Sequence, residues 1–540
     1  MGAGGGAARR RGGTAAGLFG AALLVVSTVL TSGGAYAQPS PPPGGHSAGH
    51  GGDEDHDGQG GRDGRKGDHG KGGAASRSSD SPGADPTRRA APPAASAPTG
   101  GGSDAPGGRP APAPGAVLAA AEDGEGAAVP TAQGLQQMLA AALADKSLGE
   151  VTFAVADAGT GRLLYGSGEN APATPASTTK LATAIAALSL LPGDTRLHTR
   201  VVRGADPGTI TLVGGGDPTL TALPADQVQI GGQPADADTA PASLDALAQQ
   251  TADTLKSLGT TTVRLDYDLS MYAGSPQHRN HDAQNIALVV PLMVDEGRVD
   301  PKSREDAPDR VADPAAAAAE TFATLLKARG ITVTGKAGPA AAPAPAPAVS
   351  GTAPLGEVHS PTVARLVERL LTTSDNQLAE AIARQVAIAA HQPASFEGAA
   401  AAVTQELARL GVPMGNVLLN DGSGLHPGNA IPPAVLVQLL VLAASEQHPA
   451  LRPVLTGLPV AGFTGTLNKR YGSGSGAADA AGLIRAKTGT LTGVNTLAGT
   501  VVDADGRLLA FAVMTRSAAA ETARAAMDRV AARLATCGCH

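Results

Sequence analysis

The segment PASTTKLATAIAAL places a serine and a lysine three positions apart, at Ser177 and Lys180. Pro175 is typical of a helix start, and the apolar residues after Lys180 recur at helical spacing. Residues three apart on a helix share a face, so Lys180 could take the proton that makes the Ser177 hydroxyl a nucleophile. A polar first helical turn contains the same residue types, and this pair alone does not separate the two interpretations.

Two further motifs in the second half of the chain contain the other residue types that such a reaction needs. Ser374 and Asn376 lie between two helical patterns, and the run KTGT at 487–490 lies in a strand-like pattern. Each of the patterns S-x-x-K, S-x-N and K-T-G occurs once in the 540 residues, in this order. Their joint occurrence favours a catalytic role over three unrelated polar turns.

The residue types fit acyl transfer to a serine. Lys180 acts as a base only when neutral, and partial burial beside a second cation, Lys487, would lower its pKa. Ser374 could relay a proton to the leaving nitrogen, and Asn376 could hold the substrate amide and Lys180. The backbone N–H groups of Ser177 and residue 490 are candidates for the oxyanion hole.

The KTGT run supplies the predicted substrate-binding residues. Lys487, Thr488 and Thr490, with Gly489 between the threonines, offer a positive charge and hydroxyl groups to a substrate carboxylate.

The elements around these motifs indicate an α+β domain that is split by an insertion. A helix at 133–149, a hairpin around the turn AGTGR and the helix bearing Ser177 form a first part at 119–197. Residues 198–350 are predicted to be a mainly β insertion of one or two small domains with at least one helix, and helical patterns return in a second part at 351–540.

The N-terminal region is predicted to be an export signal followed by a spacer. An arginine cluster, an apolar run and the sequence AYA at 35–37 make residues 1–37 a cleavable signal peptide, with an uncleaved anchor as the alternative. Residues 38–118 contain too few apolar side chains to form a core and are predicted to be a disordered low-complexity spacer. Its histidines could bind metal weakly, although a solvated spacer is favoured. They are His46, His50, His56 and His69.

Composition excludes some functions and leaves others open. A net charge of −7 without a basic stripe argues against a nucleic-acid partner. The triple glycine at 214–216 lacks the Gly-Lys-Ser/Thr of a phosphate loop. Cys537 and Cys539 could form a disulfide, either strained or in a frayed tail, and with His540 they offer too few ligands for a metal site. The oligomeric state stays open.

The three motifs together resemble the low-molecular-mass penicillin-binding proteins of the D-alanyl-D-alanine carboxypeptidase/endopeptidase type, the penicillin-binding protein 4 group. The long interval between the first two motifs is similar to the large insertion of that group. Three further stretches resemble the group, whereas the loop GSPQHRNHDAQN departs from its aromatic-rich version. The stretches are LVGGGDPTL at 212–220, PLMVDEGR at 291–298 and DGSGL at 421–425.

The resemblance implies a serine transpeptidase/β-lactamase-like domain, with an antiparallel sheet between helices. It also implies peptidoglycan stem peptides ending in D-Ala-D-Ala as substrates, β-lactams as covalent inhibitors, and no metal or cofactor. A serine β-lactamase is disfavoured, because Glu406 is followed four residues later by Leu410, where the class A loop has asparagine. A non-catalytic envelope protein that binds stem peptides is the second alternative.

Overall fold

The computed structural model of the chain describes residues 127–230, 232–303, 305, 307–341 and 353–540. The predicted signal peptide at 1–37 and spacer at 38–118 lie outside these residues. The described residues form two domains, each built on its own sheet. One is a three-layer domain that carries the motifs, and the other is inserted into it.

The three-layer domain is built on one antiparallel sheet. Its strands are β1 (Glu150–Asp157), β2 (Leu163–Ser167), β10 (Ile484–Leu491), β11 (Val494–Val502) and β12 (Leu508–Arg516). They lie in the order β10-β11-β12-β1-β2, so the first hairpin pairs with the end of the chain. Because helices cover both faces of the sheet, β12 reads as a nearly continuous apolar run, LLAFAVMTR.

One face of this sheet packs on two terminal helices and the other on five central helices. The terminal helices are α1 (Ala132–Leu143) and α10 (Ala520–Ala535). The central helices are α2 (Thr179–Leu190), α5 (Val363–Thr373), α6 (Asn376–Ala389), α7 (Phe396–Arg409) and α8 (Pro433–Ala444), and a short helix α9 (Pro453–Thr456) follows them. The core is made mostly of Ala, Val and Leu, as the low aromatic content requires.

The inserted domain has its own sheet and core. Its elements are β3 (Arg196–Arg203), β4 (Thr209–Val213), α3 (Leu244–Ser257), β7 (Thr262–Asp268), α4 (Pro314–Ala328), β8 (Thr332–Pro339) and β9 (Gly356–Thr362). The sheet order is β8-β7-β4-β3-β9, with parallel pairing at β4/β7 and β7/β8 and antiparallel pairing elsewhere. A separate hairpin consists of two strands of two residues each, β5 (Gln229–Ile230) and β6 (Gln233–Pro234).

Several boundaries differ from the sequence-based predictions. The inserted sheet uses residues on both sides of the range 198–350, because β9 returns to pair with β3. The amphipathic helix α3 was not predicted, and with α4 it gives this mainly β region two helices. The helix predicted at 133–149 ends at Leu143, and a single 3-10 turn (Lys146–Leu148) follows it.

The C-terminal tail is packed against the start of α1. Cys537 and Cys539 form a disulfide, both are buried, and the backbone N–H of Thr131 donates to the Cys539 carbonyl at 2.7 Å. The frayed tail considered from the sequence is therefore wrong.

No single helix in the described ranges is long and apolar enough to cross a membrane. The bent pair Pro433–Ala444 and Pro449–Thr456 meets the length and composition criteria only when its two helices are taken together.

Candidate active site

Ser177 lies in a single 3-10 turn, Ala176–Thr178, that runs directly into α2. Two glycines allow neighbouring chain segments to reach this turn. A Cβ at Gly424 would lie 1.9 Å from the Ala176 carbonyl oxygen, and a Cβ at Gly489 would lie 3.0 Å from the Ser177 nitrogen. The turn therefore packs closely between the loop that contains Gly424 and strand β10.

The side chain of Lys180 is completely buried, and its ammonium group has three hydrogen-bond acceptors. Nζ donates to Ser177 Oγ at 2.9 Å, to Asn376 Oδ1 at 2.7 Å and to the Ser423 carbonyl at 2.6 Å. An ammonium group has three N–H donors, so these contacts use all of them. The pair predicted from S-x-x-K is therefore in contact, and Asn376 reaches the same nitrogen.

The loop at 421–425 places the Ser423 carbonyl on Lys180. Glu380 Oε1 accepts from the backbone N–H groups of Gly422 at 3.1 Å and Ser423 at 2.8 Å. The Asp421 carboxylate accepts from the N–H of Gly424 at 2.9 Å and from the N–H of His426, just after the loop, at 2.6 Å. Two buried carboxylates therefore fix the loop by its backbone.

The second pair of predicted residues meets where α5 ends and α6 begins. Ser374 has a left-handed backbone, with φ of 60°, at the C-cap of α5, and Asp375 caps α6 by accepting from the Leu378 N–H at 2.9 Å. Lys487 Nζ donates to Ser374 Oγ at 2.8 Å and to the Thr488 carbonyl at 2.7 Å. The sharp turn at Ser374 thus points its hydroxyl at the lysine of β10.

Burial lowers the pKa of both lysines. The pKa of Lys180 falls to about 8, although the nearby carboxylates of Asp421, Glu380 and Asp375 oppose the shift. Burial first, and repulsion from Lys180 second, lower the pKa of Lys487 well below its usual range. Partial burial and the charge of Lys487 were together expected to lower the pKa of Lys180. Burial is the cause of that shift, whereas repulsion between the two lysines lowers the pKa of Lys487.

The KTGT residues border a cleft of about 1440 Å³ between the two domains. Thr488 and Thr490 line it, with Arg298 of the inserted domain and Arg524 of α10. Thr490 Oγ1 accepts from Arg524 Nη2 at 3.1 Å. The cleft lining thus contains cations and hydroxyl groups that suit a carboxylate-bearing ligand, together with several Asp and Glu side chains.

All eight predicted site residues lie around Lys180, Lys487 and the adjoining cleft, but the residues that support them were not predicted. Glu380 and Arg384 follow Asn376 at intervals of four on α6, and all three lie on one helical face. That spacing is a signal that could have been found. The DGSGL stretch resembles the family in sequence, but its residue types alone predict no contact of Asp421 or Ser423 with the site.

One buried group beside the site has the side chains of a metal site. Single ligand atoms of His281, Glu380 and Asp421 lie within 4.8 Å of one another. His281 Nε2 is already 2.8 Å from Asp421 Oδ2, and Arg384 Nη1 is 3.6 Å from Glu380 Oε2. Because Arg384 and Lys180 offset the two carboxylates, we interpret this group as a scaffold for the loop and not as a metal site.

Comparison with known proteins identifies the family. The chain matches the D-Ala-D-Ala carboxypeptidase 3 (S13) family over residues 135–309 and 301–534. The chain belongs to this family. It is 37% identical over 421 residues to Carboxypeptidase DacB of Mycolicibacterium smegmatis, covering 76% of this chain and 86% of that protein. It is 36% identical over 423 residues to a carboxypeptidase of Mycobacterium tuberculosis, with the same coverage of 76% and 86%.

A solved structure shows the same fold. Penicillin binding protein 4 (dacB) of Haemophilus influenzae superposes with a TM-score of 0.58 at 20% identity, covering 74% of this chain and 98% of that one. The resemblance and the α+β transpeptidase fold predicted from the sequence are confirmed. As a member of the S13 family the chain is a D-Ala-D-Ala carboxypeptidase, a hydrolase.

The inserted domain of this carboxypeptidase reaches the Ser-Asp-Asn motif through Glu296. This side chain is buried and forms ion pairs with Arg298 at 2.5 Å and with Arg369 of α5. Burial, and then repulsion from Asp375, raise the pKa of Glu296 to about 7. Burial works to raise the pKa of Asp375 as well, but the hydrogen bond from Glu296 and the charge of Arg369 hold it below its usual range. Glu296 is therefore the more easily protonated of these two neighbouring acids, and Asp375 stays ionised beside it.

Replacing Glu296 should show how strongly this contact stabilises the fold. Glu296→Ala leaves two arginines without their partner and should lower the free energy of unfolding by about 3–5 kcal/mol. Glu296→Gln can still donate to Asp375 and should cost clearly less. Denaturant unfolding measures both, with Glu150→Ala, at an exposed ion pair, as a control that should change stability by less than about 1 kcal/mol. Equal losses for the Gln and Ala variants would contradict a hydrogen bond from Glu296 to Asp375.

Proposed function

We propose that this carboxypeptidase cleaves peptidoglycan stem peptides ending in D-Ala-D-Ala through an acyl-enzyme on Ser177, and that penicillin acylates the same serine. The observation that carries the proposal is the environment of Lys180 Nζ. Two of its three partners, the Asn376 and Ser423 oxygens, can only accept hydrogen bonds. The third, Ser177 Oγ, can also donate.

Loss of one proton therefore turns Lys180 into a base that faces Ser177. A neutral amine has two N–H groups and one lone pair, and the two carbonyl oxygens hold the two N–H groups. The lone pair is left for the hydroxyl proton of Ser177, 2.9 Å away. Since burial lowers the pKa of Lys180 to about 8, a useful fraction of the enzyme is in this form near neutral pH.

The reaction then follows from the positions of the other groups. Ser177 Oγ attacks the carbonyl carbon of the penultimate D-Ala, and Lys180 accepts its proton. The N–H groups of Ser177 and Thr490 are proposed to stabilise the oxyanion, which is supported by the close approach of Gly489 to the Ser177 nitrogen. Ser374 relays the proton held by Lys180 to the leaving nitrogen, and terminal D-Ala departs. Water then attacks the ester and gives a proton to Lys180, which returns it to Ser177 Oγ as the acyl group leaves.

Lys487 is proposed to bind the terminal carboxylate, with Thr488 and Thr490 beside it. Two of its three N–H donors are used by Ser374 and the Thr488 carbonyl, which leaves the third for a ligand. Burial and Lys180 lower its pKa in the free enzyme, and an arriving carboxylate raises it again. Substrate binding and protonation of Lys487 are therefore coupled.

A serine β-lactamase is the alternative, and the position of Glu406 argues against it. Glu406 bonds Ser189 at the far end of α2, about 15 Å along the helix from Thr179. It is therefore badly placed to activate water at Ser177, so a penicillin adduct should persist. The other alternative, a non-catalytic stem-peptide-binding protein, is disfavoured because nucleophile, base and carboxylate-binding groups are all present.

Removal of the nucleophile tests the proposal. Ser177→Ala should lower the rate of hydrolysis of a synthetic peptide ending in D-Ala-D-Ala by at least about 1000-fold, because no acyl-enzyme forms. Ser189→Ala, on the same helix, is the matched control and should keep the activity. Liberated D-Ala is the measured product. Undiminished release by the Ser177→Ala enzyme would refute the assignment of the nucleophile.

The pH dependence tests Lys180 as the base. The neutral fraction of Lys180 falls about tenfold per unit below its pKa of about 8, and the acylation rate constant should fall with it. Above about pH 9 the rate should level off. Kinetics with a fluorescent penicillin from about pH 5 to about pH 10 measure this profile. A rate constant that does not vary over that range would contradict the role of Lys180.

We also propose that the enzyme is exported to the cell envelope or secreted, on the basis of the arginine cluster, apolar run and AYA sequence at 1–37. N-terminal sequencing of exported protein should find Gln38 as the first residue. Retention of residues 1–37 would contradict cleavage.

A further inference from the structure

Two histidines and a glutamate share the solvent face of the inserted sheet, outside the active site. His198 of β3 lies directly opposite His359 of β9 in the antiparallel register. Glu357 precedes His359 by two residues and therefore points to the same face. Their side chains are 52%, 28% and 47% exposed for His198, Glu357 and His359, so the group is open to solvent.

The ligand atoms of these three side chains already converge. One imidazole nitrogen from each histidine and one carboxylate oxygen lie within 4.8 Å of one another. His198 Nδ1 contacts Glu357 Oε1, and His359 Nδ1 is 3.9 Å from the same oxygen. The two imidazole rings meet edge to face, with centroids 4.4 Å apart.

We propose that His198, Glu357 and His359 bind a divalent transition-metal ion of the Zn²⁺ class. Two imidazoles and a carboxylate on one side, with water on the other, form a donor set that Zn²⁺ accepts at about 2.0–2.2 Å. Nitrogen donors favour this class of ion over Mg²⁺ and Ca²⁺, which prefer oxygen ligands. Arg200 lies opposite Glu357 on this face, and its positive charge opposes a metal ion there.

The position of the site gives the ion a structural role. β3 follows α2, which carries Lys180, and β9 leads directly into α5, which ends at Ser374. The chain thus leaves the three-layer domain through β3 and returns to it through β9. A metal ion held by both strands cross-links the base of the inserted domain and stabilises it without entering the reaction.

Thermal unfolding of the full chain with ZnCl₂ tests this site. Zinc should raise the melting temperature of the unaltered protein, and the rise should be lost or at least halved in His359→Gln. His448→Gln, which removes a partly exposed histidine outside the group, is the matched control and should keep the full rise. An undiminished rise in His359→Gln would overturn the proposal.

Crystals of the full-length protein soaked in ZnCl₂ give an independent test. An anomalous-scattering peak between His198, Glu357 and His359 supports the site, and peaks only elsewhere overturn it. Without zinc, Glu357→Gln should fold and hydrolyse a D-Ala-D-Ala peptide as the unaltered protein does, yet show less thermal stabilisation when zinc is added. A full zinc response in this variant would also overturn the proposal, and this comparison stays decisive if His359→Gln fails to fold.

Discussion

The buried ammonium group of Lys180 is the interaction on which the rest of the site depends. Its three acceptors come from the 3-10 turn before α2, from α6 and from the loop at 421–425. A buried charge requires such partners, because the desolvation of an unpaired ammonium group costs several kcal/mol. Movement of any one of the three segments would leave that charge unsatisfied, so the chemistry of the site also holds its parts together.

Buried acidic side chains also connect the site to the inserted domain. Asp421 and Glu380 fix the loop that contains the Ser423 carbonyl, while Glu296 pairs with Arg369 and is the more easily protonated neighbour of Asp375. The inserted domain therefore contacts the helices that carry the site, in addition to lining the cleft. It supplies a buried acid that pairs with Arg369 of α5, the helix whose C-cap is Ser374.

The motifs were predictable from the sequence because their chemistry demands specific residue types at short spacing. Ser177 and Lys180 are one helical turn apart, and Lys487 lies on a strand that Gly489 allows to approach the Ser177 turn. The first helix, the first hairpin and the helix that begins after Ser177 followed from periodicity and turn residues in the same way, whereas α3 did not. The supporting contacts could not be predicted in this way. The spacing of residues along the chain does not show which distant carboxylate will accept hydrogen bonds from the backbone of a loop.

Other differences between prediction and structure have similar causes. The return of β9 to pair with β3 is a long-range pairing, so the sequence could not place the end of the inserted domain at Thr362. The pKa of Lys180 also depends on complete burial, which emerges only when α2, α6 and β10 are assembled. The pattern of residues predicted a second cation nearby, but not that burial would be the larger influence on this pKa.

The most direct test of the account is to locate the covalent adduct itself. The protein would be incubated with benzylpenicillin, digested, and its peptides sequenced by tandem mass spectrometry. We expect one modified peptide, with the penicilloyl group on Ser177. A penicilloyl group on any other residue, or a fully unmodified Ser177 in a protein that still hydrolyses D-Ala-D-Ala peptides, would contradict it.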